Sequence, residues 1–157
     1  MLHFNTILHP TDFSPPSSHA WHLACRLAMD HGARLILVHV RPMSLPFYVE
    51  PGLATVPVTE IQLREELQDI APTDSRLSVE RHLLEGDPAS TLLDFLQDTP
   101  VDLIVMGSHG RTGLGRLVMG SVAEELARKA SCPILIVKNP VPEAERAPNE
   151  LLEPVMV

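Results

Sequence analysis

The residues best suited to chemistry lie in one segment, Gly107-Ser108-His109-Gly110-Arg111-Thr112-Gly113-Leu114-Gly115-Arg116-Leu117-Val118-Met119-Gly120-Ser121. Glycines let backbone N–H groups approach phosphate oxygens with no Cβ in the way, and a helix N-terminus adds unpaired donors and the positive end of a dipole. Ser121 and Glu124 have the S-x-x-E spacing of a capping box, which predicts a helix start at the last glycine. Two better-known phosphate loops do not fit. Gly115 to Ser121 imitates Walker A, but Gly120 is followed directly by Ser121 with no lysine between, and Gly113-Leu114-Gly115 lacks the third glycine of a dinucleotide fingerprint. The spacing realised is G-x2-G-x9-G-S, carried by Gly107, Gly110, Gly120 and Ser121. Inside it, His109, Arg111 and Arg116 are candidate phosphate contacts, with solvent exposure the alternative for the arginines. Gly113 and Gly115 read more simply as a turn.

Other chemistries find less support. The eight histidines are scattered over several elements with no H-E-x-x-H or carboxylate cluster, so no metal site is expected and surface or strand-end placement is the default. Gly107-Ser108-His109-Gly110 is not the G-x-S-x-G nucleophile elbow, and no catalytic residue is assigned. Cys25 and Cys132 are too few for a disulfide framework and read as reduced core thiols. A net charge of −8 argues against nucleic acid as the main partner. Met1 to Pro10 does not read as a secretion signal, and apolar runs such as Leu35 to Val40 are far shorter than the ~20 residues of a membrane span, so a cytoplasmic protein is expected.

The elements that must hold the loop follow from periodicity. Apolar runs at Asn5 to His9, Arg34 to Val40, Leu77 to Leu83, Asp102 to Gly107 and Pro133 to Lys138 predict strands buried on both faces, as in a parallel sheet. A first helix opens at Ser14-Pro15-Pro16, buries Ala20, Leu23, Ala24, Leu27 and Ala28, and ends at Gly32. Trp21 is expected against the sheet. A second helix runs from Thr59 to Ile70, with Glu60, Glu65, Glu66 and Asp69 on a solvated face. A third opens at Asp87-Pro88 and turns Leu92, Leu93 and Leu96 inward, and a fourth follows Ser121 with Leu126, Ala127 and Ala130 inward. The alternation predicts an α/β, doubly wound, five-stranded parallel sheet with right-handed crossovers. Proline-rich residues 41 to 58 read as a long loop, and residues 141–157 as a Pro-rich C-terminal arm beyond a domain of residues 1–140.

With these segments the sequence resembles the ATP-binding branch of the universal stress protein family. The resemblance rests on the G-x2-G-x9-G-S loop together with Pro10-Thr11-Asp12-Phe13-Ser14, His39-Val40, Glu85-Gly86-Asp87-Pro88 and Ser131-Cys132-Pro133, and it runs from about residue 3 to 138. It implies a Rossmann-like sheet of the adenine nucleotide alpha hydrolase type with strand order 3-2-1-4-5. It also implies that Pro10, Thr11 and Asp12 line the adenine and ribose end and that Val40 contacts the base. Gly107, Gly110, Gly120, Ser121 and Val122 would then hold ribose and phosphates. The implied ligand is ATP, ADP or AMP, with Mg²⁺ or Mn²⁺ held through the phosphates rather than by a protein cage. The implied role is a stress-response regulator or nucleotide switch acting on an unidentified protein partner, with a slow ATPase or a nucleotide-independent dimeric scaffold as alternatives. A homodimer through the Pro133–Lys138 edge strand is expected too, since an exposed apolar strand needs cover.

Overall fold

The computed structural model describes residues 2–43, 58–108 and 119–138. Gly110, His109, Arg111, Arg116, most of the 41–58 loop and the C-terminal arm lie outside the described residues. The elements follow in the order β1 (Thr6–Pro10), α1 (Pro15–His31), β2 (Arg34–Arg41), α2 (Glu60–Asp69), β3 (Val79–Glu85), α3 (Pro88–Asp98), β4 (Leu103–Gly107), α4 (Ser121–Lys129) and β5 (Ile134–Val137). All pairings are parallel and the sheet order is β3-β2-β1-β4-β5, as the resemblance implied.

Helices cover both faces. Ala20, Trp21, Ala24, Cys25 and Ala28 of α1 and Leu67 of α2 pack with Ile7, Leu35, Leu37, Leu103 and Val105 on one side. On the other, Leu92 of α3 and Ala123 and Leu126 of α4 pack with Leu8, Ile36, Val38, Ile104 and Met106. Residues alternate between the two cores along each strand, which is why the central strands read as unbroken apolar runs.

Local chemistry sets the helix ends. Ser14 caps α1 by accepting from the Ser17 amide, two prolines fill the first turn, and Gly32 closes the helix at φ 63°. Thr59 and Gln62 form a reciprocal capping box on α2, and Asp87 caps α3 through the Ser90 amide. The fourth helix departs from expectation. Its N-cap is Gly120, with no side-chain cap, because the first i to i−4 bond runs from the Glu124 amide to the Gly120 carbonyl at 2.9 Å. Ser121 is therefore the first helical residue, and the S-x-x-E spacing was one position out of register for a capping box.

Other positions also differ. Leu23 is exposed at 36%, because the buried stripe of α1 runs through Ser17, Ala20, Trp21, Ala24, Cys25 and Ala28. Ala127 faces solvent, since Ala123 and Leu126 set the inner face of α4. The third strand starts at Val79 rather than Leu77, whose amide is used in a turn to the Asp74 carbonyl at 3.1 Å. His9 and His39 sit near strand ends as expected, but both are buried.

Candidate functional site

The chain winds outward from β1 through β2 to β3, then returns to place β4 on the other side of β1. Open α/β sheets form a crevice where strand order reverses, outside the carboxyl ends of the strands. Here the β1–β2 ladder runs as far as Pro10↔Val38, whereas the β1–β4 register covers Ile7↔Leu103 and Leu8↔Ile104, so the ends at Pro10 and Gly107 separate. A cavity of about 620 Å³ opens there.

The sequence-predicted residues converge on this cavity. Pro10, Thr11 and Asp12 line it from the β1 side, Val40 from β2, and Gly107, Gly120, Ser121 and Val122 from β4 and α4. Sequence reasoning missed Ser17, His39, Arg41 and Ser108, which also line it. His39 beside Val40 and Ser108 beside Gly107 carried a signal by position, and Ser17 and Arg41 carried none.

The β1–α1 turn is tightly braced. The Thr11 amide extends the ladder by donating to the Val38 carbonyl at 2.8 Å. Asp12 Oδ1 accepts from the Ser14 amide at 3.0 Å and also meets the Ser14 hydroxyl, so this carboxylate supports the helix entry as well as lining the cavity. Phe13 takes φ 63°, a left-handed conformation uncommon for a bulky residue, and its amide donates to Thr11 Oγ1 at 3.1 Å. Its ring lies 4.4 Å from that of His39. His39 Nδ1 is 2.8 Å from the Thr11 carbonyl, which can only accept, so this nitrogen carries the proton.

Behind this wall His9 is 1% exposed. Its Nδ1 donates to the Val105 carbonyl at 2.7 Å, and Nε2 lies 3.3 Å from Ser17 Oγ. Ser17 Oγ is in turn 2.9 Å from Thr11 Oγ1. Burial pushes the His9 pKa down to about 4, against the smaller opposing effects of the Val105 carbonyl and the Asp12 charge, so the ring is neutral at physiological pH.

The opposite wall is built on close approach. A Cβ at Gly107 would lie 3.1 Å from the backbone carbon and oxygen of Pro16, so glycine lets the first turn of α1 pack against the end of β4. Ser108 continues the ladder by donating to the Val137 carbonyl at 2.9 Å, and its own carbonyl accepts from the Gly120 amide at 2.9 Å. The Gly120 amide is thus engaged with the scaffold. The next three amides, of Ser121, Val122 and Ala123, form the first turn of α4 and have no carbonyl four residues back within the helix. Such amides, at the positive end of a helix dipole, suit an anion. Arg41, paired with Glu85, and the carboxylate of Glu66 stand at the cavity on the α2 side. Among the described residues no three His, Cys, Asp or Glu side chains stand together as a metal site.

The family model of the universal stress protein family matches residues 3–138. A universal stress protein of Methanocaldococcus jannaschii is 34% identical over 146 residues, covering 89% of this chain and 85% of its own length. The solved structure of UspA from Lactobacillus plantarum superposes with a TM-score of 0.69 at 26% identity, covering 87% of this chain and 99% of that one. A universal stress protein solved in complex with cAMP gives a TM-score of 0.62 at 28% identity, over 87% of this chain and 98% of its own.

Proposed function

This chain belongs to the universal stress protein family, and on that premise we propose that the cavity at the β1–β4 switch point binds an adenine nucleotide, ATP or its ADP and AMP relatives. The observation that carries this reading is the meeting of the Pro10-Thr11-Asp12 turn and Val40 with the first-turn amides of α4 around one cavity. The base and sugar would lie toward β1 and β2, and the phosphates toward the α4 amides and the Ser121 hydroxyl. A relative solved with cAMP supports adenine as the base. Gly110, His109, Arg111 and Arg116 belong to the segment joining these walls and are proposed phosphate contacts. Mg²⁺ or Mn²⁺ would be held through the phosphates.

The function that follows is a cytoplasmic regulator whose bound nucleotide biases a surface read by another protein. Pairing of two copies through β5 is part of the proposal. The other sheet edge, β3, carries the ion pairs Arg34–Glu80 and Arg41–Glu85, whose charges discourage a neighbouring strand. By contrast, β5 is Ile134-Leu135-Ile136-Val137, with Leu135 37% exposed.

Mass spectrometry of small molecules released on denaturing the purified protein, followed by calorimetric titration with ATP and GTP in magnesium, tests the reading. An adenine nucleotide in the released fraction and preference for ATP are expected. Equal affinity for GTP would remove the adenine pocket. Binding of neither nucleotide to ligand-free protein would leave the dimeric scaffold as the better description, and magnesium-dependent phosphate release that a Gly120→Val variant loses would favour the slow ATPase.

A further inference from the structure

The polar chain behind the cavity has a direction. His9 Nδ1 is committed as a donor to the Val105 carbonyl, so Nε2 of the neutral ring is a buried lone pair. Ser17 Oγ, 3.3 Å away, is a hydroxyl that can satisfy it. That hydroxyl has one proton and two neighbours, His9 Nε2 and Thr11 Oγ1. Thr11 Oγ1 already accepts from the Phe13 amide, which leaves it one lone pair and one proton to divide between Ser17 and the cavity.

Two arrangements satisfy these rules. In the first, Ser17 donates to His9 and Thr11 donates to Ser17, which leaves one Thr11 lone pair to accept from a ligand in the cavity that Thr11 lines. In the second, Ser17 donates to Thr11, Thr11 points its proton into the cavity, and His9 Nε2 loses its donor. Leaving a buried acceptor without a donor disfavours an arrangement by about 5- to 100-fold, so the first prevails.

We propose that His9, acting through Ser17, fixes the Thr11 hydroxyl as an acceptor at the cavity wall, and that this selects a nucleotide group that donates an N–H or O–H. His9 is a positioning residue, since it lies behind the wall rather than on it. The inference rests on the nucleotide reading above and adds to it the polarity of one contact. Two ligand groups have this chemistry, the exocyclic amine of adenine and a ribose hydroxyl.

The test uses analogues in which a donor is replaced by an acceptor: inosine triphosphate for the amine, and 2′-fluoro and 3′-fluoro ATP for the hydroxyls. Calorimetric titration of the wild-type protein should show about a tenfold loss with one of them, which identifies the donor. In His9→Leu and in Ser17→Ala that loss should shrink to about twofold, because Thr11 becomes free to turn its proton toward the ligand. Thr11→Val should show no such preference in any background. Nitrogen-15 NMR of the wild-type imidazole adds a readout that needs neither variant nor ligand, and it should find Nδ1 protonated and Nε2 bare. The reverse tautomer would overturn the proposal, as would ATP binding with no discrimination among the analogues, or wild-type discrimination retained in the two folded variants. No affinity for any adenine nucleotide would instead remove the nucleotide reading itself and the selected ligand with it, a pattern distinct from binding without discrimination.

Discussion

Acidification should unfold this protein earlier than its carboxylates alone would dictate, and His9 is the reason. The folded chain holds the ring neutral with a pKa of about 4, against an ordinary value of 6.5. Because the folded value lies below the unfolded one, the unfolded chain takes up the proton first. The stability that neutral His9 protects is therefore intact above about pH 6.5, falls as the pH drops through the window between the two values, and is fully lost below about pH 4. The whole shift corresponds to about 3 kcal/mol, of which about 2 kcal/mol is gone by about pH 5. Set against a total stability of about 5–15 kcal/mol, this is a large share from one side chain. Urea unfolding of wild type and His9→Gln at closely spaced pH values isolates it, since the other titrating groups are common to both. Gln should lower stability near neutrality, and the two curves should then converge as the pH falls toward about 4. Curves separated by a constant offset across that range would refute the claim that His9 is buried and neutral.

Three further outcomes follow from the packing. Gly86 has φ 143°, and a Cβ there would sit 2.5 Å from Thr91 Oγ1, so Gly86→Ala should cost about 1–3 kcal/mol in chemical denaturation. Adding Thr91→Ala should restore the part due to collision and leave the backbone share. Gly107→Ala should cost about 1–3 kcal/mol by forcing the Pro16 backbone away, and should weaken the proposed nucleotide binding because the Asp12–Ser17 turn moves with it; unchanged stability would show that α1 yields freely. Arg81 donates to the carbonyls of Leu67 at 3.0 Å, Ile70 at 2.8 Å and Val79 at 3.3 Å, tying the end of α2 to β3. Arg81→Met should reduce hydrogen-exchange protection in α2 while leaving that of α1 intact.

Much of this architecture was legible because it is encoded locally. Continuous Leu, Ile and Val runs marked the strands, and Ser14, Thr59, Asp87 and Gly32 marked helix ends through interactions spanning three or four residues. One cavity wall was legible from the glycine spacing that ends at Gly120-Ser121, whereas Pro10-Thr11-Asp12 was legible only through the resemblance to the universal stress protein family. The second layer was not. His9 meets Val105 across 96 residues of sequence and His39 meets Thr11 across 28, and no periodicity reports such pairs. Ser17 was hidden differently: inside a helix a serine reads as neutral filler until the strand behind it is known to carry a histidine. Leu23 misled because its hydrophobicity outweighed its angle on α1, where Trp21 and Cys25 had already fixed the inner face.

The bond between the Gly120 amide and the Ser108 carbonyl has a consequence for how this site can change. It clamps the chain where it leaves β4 and where it re-enters at α4, so the scaffold on either side is indifferent to how many residues lie between. The penalty for closing a loop grows only with the logarithm of its length, and doubling the intervening segment would cost about 0.6 kcal/mol. Inserted or exchanged residues there would leave the α4 amides and the sheet in place, so on the proposed function they could change the phosphate contacts alone. The clamp thus separates an exchangeable segment from a fixed frame, and grafting a segment of different length between Ser108 and Gly120 should leave the melting temperature nearly constant while it alters the proposed nucleotide affinity.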